Sequence, residues 1–309
     1  MHICHRTSFV RVPAEKPCPE INQAAGHTPS KVAVAPCGRM LTLVAMVDLH
    51  NHLLPGLDDG STSLATSVEM ARIAAAEGIT HIVCTPHASS NFTFGPEQNS
   101  LRLTQLRAAL AEAGVSMTLG LGCDFHISYD NVQDALAHPS RYSINSHDYL
   151  LVELADYSIS PNIQETFYEL RLAGLMPILT HPERNPTLQQ DPSRLIPWLR
   201  DGLLCQVTAG SVIGSMGKTA QKLAHRMLEN HWVHFLATDA HNTTSRPPHM
   251  RRAFETVARK YGESYADLLC LHNPLSVFDG QPIGDQAMLG IEAEDTVKTE
   301  SWWQRLMRM

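Results

Sequence analysis

The sequence predicts an α/β chain of parallel strands alternating with helices, and three observations lead there. Short apolar runs recur from residue 45 onward, a loop carrying polar residues follows nearly every run, and an amphipathic stretch stopping at glycine comes next in several units. The runs are residues 45–49, 81–85, 116–120, 149–154, 176–180, 204–208 and 234–238. Helical patterns cover residues 64–77 before Gly78, 97–113 before Gly114 and 161–173 before Gly174. Glycine just past a helix end suits the left-handed C-terminal position, where a Cβ would be penalised. Strands separated by helices imply parallel pairing, and seven such units suggest a closed or nearly closed barrel, although a doubly wound open sheet gives a similar pattern.

Composition bounds the rest. In 309 residues, 43% are hydrophobic and 18% charged, so the chain can bury a sizeable core and is not disordered as a whole. The formal net charge of −7 argues against nucleic acid or an anionic membrane as the main partner, because both require clustered Lys and Arg. The seven cysteines, at 4, 18, 37, 84, 123, 205 and 270, form no CxxC pair and read as reduced thiols of a cytoplasmic protein. No apolar run approaches a membrane span, and the N-terminus lacks the apolar centre of a secretory signal. Residues 1–45, rich in Pro and without period, are expected to be an extension that is disordered or follows from a start assigned upstream of Met46. Residues 283–309 are expected to be a tail whose SWWQRLMRM end could form a short amphipathic helix touching a partner or a membrane surface.

Seventeen histidines are the unusual feature, and most of the informative ones fall where strands end. His50 and His52 follow the first run, His87 the second, Asp124 the third, Glu153 the fourth, His181 the fifth, and Asp239 with His241 the seventh. The sixth offers nothing comparable. In a parallel barrel the loops after the strands share one rim, so these residues would converge on a single mouth. A two-residue spacing keeps His50 and His52 on one side, and likewise Asp239 and His241. Imidazoles with carboxylates and no thiolate suit Zn, Mn or Fe, and their number exceeds what one ion uses, so two or three ions are expected. Each residue alone has a plain alternative, such as a hydrogen-bonded core histidine, a helix cap for Asp239 or an Arg partner for Glu153. Their co-location at six strand ends of seven is what favours metal. His81, His147, His231 and His234 are assigned to structure or solvent. No cysteine has Arg six positions on, which excludes a cysteine-phosphatase loop, and GKT at 217–219 lacks the upstream glycine of a phosphate loop, since Val212 stands there.

Taken together, DLHNHLLPGLDDG, CTPH, ILTHPERN and TDAHN with RPPHM resemble the polymerase and histidinol phosphatase (PHP) family, specifically its bacterial protein-tyrosine phosphatases of capsule and exopolysaccharide operons. The resemblance spans residues 46–282. It implies a distorted (β/α)7 barrel of the PHP type, two to three divalent ions, most often Mn with Fe or Zn possible, and hydrolysis of phosphotyrosine by a metal-bridged hydroxide. The implied partner is a phosphotyrosine-bearing protein, a bacterial tyrosine kinase of polysaccharide export, with membrane association only indirect or through the tail. Carried over by position, His50, His52, Glu153 and Asp239 would hold a first metal, with Glu153 bridging to a second that takes Asp124 and His181. Asp59, His87 and His241 would hold a third, with Asp58 the alternative to Asp59. Most members carry Glu where Asp124 stands, and the shorter arm reduces reach. Arg184 and Arg246 would clamp the phosphate, and His241 or His87 could donate a proton to the leaving phenolate. A small-molecule phosphomonoesterase such as histidinol phosphatase is the enzymatic alternative, and a catalytically silent regulatory barrel the non-enzymatic one.

Overall fold

A computed structural model of the chain describes residues 44–155 and 158–284. The expectations for residues 1–43 and for the tail beyond 284 lie outside the described residues. Nine strands occur among them: β1 (Met46–Asn51), β2 (Ile79–Cys84), β3 (His87–Ala88), β4 (Thr118–Leu121), β5 (Asp124–His126), β6 (Tyr149–Glu153), β7 (Met176–Thr180), β8 (Leu204–Thr208) and β9 (Phe235–Ala237). Every ladder is parallel, as the strand–helix alternation requires. One sheet has the order β1-β2-β4 and the other β3-β5-β6-β7-β8-β9. An isolated parallel bridge pairs Asn51, at the end of β1, with Ala240, just after β9.

Nine strands arise from seven apolar runs because two of the runs are followed, after a break, by a second short strand. After β2 the chain meets Pro86, which has no N–H to give a ladder, and it resumes at His87 in the second sheet. After β4 it passes Gly122, where a Cβ would lie 2.9 Å from the Val83 side chain, and it resumes at Asp124, also in the second sheet. The two breaks run in parallel, so His87 and Asp124 emerge opposite each other in register. A kink shared by neighbouring strands therefore sets the position of two residues singled out in the sequence.

The helices follow the predicted periods closely. Leu64–Glu77 begins at Ser63, whose side chain accepts the Thr66 N–H, and ends at Gly78 with φ of 101°, a conformation that strains any residue with a Cβ. Pro96–Glu112 and Ile163–Leu172 occupy the other two expected stretches. No described helix is long and apolar enough to cross a membrane.

Two apolar clusters hold these layers. The larger lies between strands and helices and includes Met70, Leu106, Leu170 and Met227. The smaller gathers Val47 and Leu49 of β1, Val83 of β2, Tyr149 and Leu151 of β6, Ile178 of β7, Leu204 of β8 and Phe235 of β9. Strands of both sheets thus share one filling, and each fully buried aliphatic side chain in it contributes about 1.5–3 kcal/mol. Cys84, Cys123, Cys205 and Cys270 are buried free thiols, in keeping with the reduced reading.

Candidate metal centre

The chain ends of the parallel strands bring the predicted polar residues together. His50 and Asn51 close β1 and His52 follows, His87 opens β3, Asp124 opens β5, Glu153 closes β6, His181 follows β7, and Asp239 and His241 follow β9. Four overlapping groups result, within each of which ligand atoms lie within 4.8 Å of one another: His52, Asp59, His87 and His241; His50, His52 and Asp124; His50, His181 and Asp239; and His87, Asp124 and Glu153. All nine residues are therefore in the cluster; Asp59, His87 and His241 fall together as the resemblance implies for a third site, and Glu153 lies near Asp124 and 3.6 Å from His181 as it implies for a second, whereas the four residues implied for the first do not form one group. Glu153 stands with His87 and Asp124 rather than with His50 and His52, and His181 stands with His50 and Asp239.

The backbone invests strain here. His181 and Asp239 both adopt left-handed φ, 35° and 52°. Such conformations cost a non-glycine residue about 1–3 kcal/mol and persist only where the surroundings hold them. Those surroundings are visible. Asp48, fully buried on β1, accepts from the Thr238 N–H and hydroxyl and from the Asn51 amide, which ties β1 to the turn carrying Asp239. Glu183, also fully buried, accepts from the Thr208 N–H and the Ser211 hydroxyl at 2.6 Å, which ties the turn carrying His181 and Arg184 to the end of β8.

The imidazoles are aimed by their outward nitrogens. His50 Nδ1 lies 3.0 Å from Gln206 Oε1, so it carries the proton and leaves Nε2 as a lone pair. His52 Nδ1 lies 2.8 Å from Asp58 Oδ2 and is oriented the same way, and His241 Nδ1 lies 3.0 Å from the Asp239 carbonyl. His50 Nε2 and His52 Nε2 then face each other at 3.2 Å, each 3.5 Å from Asp239 Oδ1. Two imidazole nitrogens and a carboxylate turned toward one another in a buried site demand positive charge among them, held as a proton on His52 or as a cation that displaces it. β8, the sixth apolar run and silent in the sequence reading, supplies the orienting Gln206 and, with Ser211 just after it, the anchors of Glu183.

Asp58 and Asp59 divide the work between them. The Asp58 carboxylate accepts from His52, from the Gly60 N–H and from the His87 N–H, whereas Asp59 Oδ1 lies 3.4 Å from His87 Nε2 and 3.6 Å from His241 Nε2. Asp124 Oδ2, buried and receiving no hydrogen bond, lies 3.3 Å from both His50 Nε2 and His87 Nδ1, so the shorter carboxylate still reaches two imidazoles.

Electrostatics report the same convergence. Burial opposes charge on His52, but the hydrogen bonds and charges of Asp239 and Asp58 outweigh it and push the imidazole up to about 10. Burial likewise opposes ionisation of Asp58, yet His52 holds it down at about 2. Burial and the nearby Asp124 raise Glu153 to about 8. Burial and the charge of His52 lower His241 to about 3, so its imidazole is uncharged at neutral pH. A cation entering this cluster replaces protons held by the ligands, so its affinity rises with pH. Metal-ligating histidines depend on such outer partners, and Asp58→Asn is expected to weaken metal binding by about 10–100-fold, read as the free-metal concentration at half occupancy. Unchanged affinity would show that the Asp58 contact does not orient a ligand.

Arg184 and Arg246 flank the cluster. Arg184 Nη1 and Arg246 Nη2 both donate to Asp239 Oδ2, and both side chains are partly exposed. Arg246 is set by Asn242, whose Oδ1 accepts the N–H groups of Thr244, Ser245 and Arg246 in a closed turn. A cavity of about 90 Å³ opens beside Arg184, lined by Glu153, Thr180, His181, Pro182 and Asn185.

The chain as a whole is similar to known proteins. The family described as capsular polysaccharide synthesis, CpsB/CapC, matches residues 46–279. Tyrosine-protein phosphatase YwqE of Bacillus subtilis is 32% identical over 254 residues, covering 79% of this chain and 99% of that protein. Tyrosine-protein phosphatase CpsB of Streptococcus pneumoniae is 27% identical over 244 residues, covering 77% of this chain and 100% of the other. A crystal structure from work on YwqE and CpsB, described as unique metal-dependent tyrosine phosphatases, matches with a TM-score of 0.73 and 31% identity over 77% of this chain and 96% of that one.

Proposed function

The chain belongs to the capsular polysaccharide synthesis family CpsB/CapC, and from that premise we propose that it is a metal-dependent protein-tyrosine phosphatase acting on a tyrosine kinase of polysaccharide export. The catalytic unit is residues 46–282, read as a distorted (β/α)7 barrel of the PHP type. The bridge between Asn51 and Ala240 and the apolar filling shared by both sheets support that architecture. His50, His52, Asp59, His87, Asp124, Glu153, His181, Asp239 and His241 hold two to three divalent ions, with Mn ahead of Fe and Zn. The observation that carries this reading is the pair of imidazole nitrogens turned toward each other at 3.2 Å with Asp239 beside both. The donor set fits: imidazole and carboxylate, no thiolate, with the buried Asp124 Oδ2 and His87 Nδ1 lacking hydrogen bonds.

Divalent ions bound there supply an acidified water and positive charge for the phosphate oxygens. The protein's residues do the rest. Gln206 and Asp58 fix the direction of two imidazoles, Glu183 fixes the turn that carries Arg184, and Asn242 fixes Arg246. Two guanidiniums on one rim match a phosphotyrosine carrying about −1.5 to −2 charges. The phenolate, with a free pKa of about 10, leaves with less help from a proton donor than an alkoxide needs. His241, held neutral, serves as a ligand and not as the acid.

The test compares phosphotyrosyl peptide, phosphoseryl peptide and histidinol phosphate at saturating Mn. Phosphotyrosyl peptide should be hydrolysed with the highest kcat/KM, and chelation should stop all turnover. Faster hydrolysis of histidinol phosphate would replace this reading by a small-molecule phosphatase.

A further inference from the structure

Resting on the phosphotyrosine reading, we propose that Phe92 recognises the substrate's aromatic ring. Among the described residues, Phe92 is the one phenyl group that stacks on the histidine cluster: its ring lies over His87 with centroids 5.7 Å apart and planes 14° from parallel. The other ring contacts of His50, His52, His87 and His241 are with histidines.

The loop that carries Phe92 is built to hold it. The Ser89 N–H donates to the Phe92 carbonyl at 2.9 Å, and the Asn91 N–H donates to Ser89 Oγ, which closes a tight turn directly after β3. Two residues on, Phe94 is buried against Tyr142 with centroids 5.1 Å apart, anchoring the far end. Asn131 adds a clasp from below, donating to the carbonyls of Ala88 and His126. Phe92, between these anchors, is left half-buried and flanked by the exposed Asn91 and Thr93. A phenyl ring kept partly in water at a polar rim gains from an apolar ring laid against it. In this assignment the ring of a phosphotyrosine whose phosphate enters the cluster lies past His87 and alongside Phe92, where the stacked pair offers it an apolar face.

A phenyl ring that only steadied His87 would serve every phosphate ester equally, so the two roles separate by substrate. Affinity for benzylphosphonate and propylphosphonate, neither hydrolysable, is measured by calorimetry on the metal-loaded wild type, Phe92→Ala and Phe92→Tyr, alongside kcat and KM for phosphotyrosyl peptide and glycerol phosphate. Phe92→Ala should weaken benzylphosphonate and raise the peptide KM by about fivefold to tenfold, with propylphosphonate and the glycerol phosphate KM unchanged and Phe92→Tyr restoring the loss. Equal losses for aryl and alkyl ligands, or no loss, would overturn the assignment. The phosphotyrosine reading fails separately, on a wild type that does not prefer the aryl ester.

Discussion

His50→Ala is expected to lower phosphatase turnover by on the order of 10³-fold or more and to deplete bound metal, because His50 is shared by two of the four ligand groups. The side chain is fully buried, its Nδ1 is held by Gln206, and its Nε2 faces His52, Asp124 and Asp239 at 3.2–3.5 Å. Alanine removes a ligand and leaves two carboxylates with less compensation in a dry site, so a weaker retained ion is poorly placed as well as scarce. Elemental analysis after dialysis against trace Mn gives the count per chain, with two to three expected in the wild type and fewer in the variant. Circular dichroism and thermal melting show whether the fold itself survives. A folded variant with wild-type turnover and undiminished metal would refute the placement of His50. The same variant separates catalysis from a silent regulatory role, since binding of a phosphotyrosyl protein through the surface alone should persist while turnover vanishes.

Much of this site was readable in the sequence because strand ends are marked twice, by an apolar run and by the polar residue that follows it. Runs 176–180 and 204–208 became β7 and β8 without change, and the helix predicted over 64–77 has those bounds. The breaks at Pro86 and Gly122 were harder. The apolar runs 81–85 and 116–120 stop just before these residues, and only the second sheet's register reveals that His87 and Asp124, read as loop residues, belong to strands of their own. Outer partners were missed for a different reason. Asp48, Gln206 and Glu183 sit inside apolar runs or next to a stronger motif, and a buried carboxylate or amide has no period or spacing that announces it. Asp48 two residues before a His-x-His pair, and Glu183 between His181 and Arg184, were the available signals. A carboxylate in an otherwise apolar strand must find donors, and the nearest donors are the turns that carry ligands. Which carboxylate joins which histidine was likewise not legible, since one-dimensional order does not rank distances across a mouth.

Replacing Arg184 or Arg246 by lysine should cost about 10²–10³-fold in kcat/KM toward phosphotyrosyl peptide while leaving metal content near wild type. Both guanidiniums donate to the same Asp239 oxygen, one from the turn after His181 and the other from the turn after His241. Each has five N–H donors in a fixed plane, so engaging one carboxylate oxygen leaves donors for a phosphate. Burial opposes charge on Arg184, but Asp239, Glu183 and Glu153 more than offset this, and the guanidinium stays charged across any workable pH. Lysine keeps the positive charge near Asp239, and with it the metal ligand's surroundings, but presents a point charge where the phosphate needs a planar fork. The comparison therefore isolates geometry from charge. A pure loss of binding would appear in KM alone, whereas donors that tighten as charge builds on the transferred phosphoryl group would lower kcat. Because the two arginines share Asp239, the double lysine variant should lose less than the product of the single effects. Single lysine variants with wild-type kcat and KM would remove both residues from the phosphate clamp and leave them as the counter-charge of Asp239.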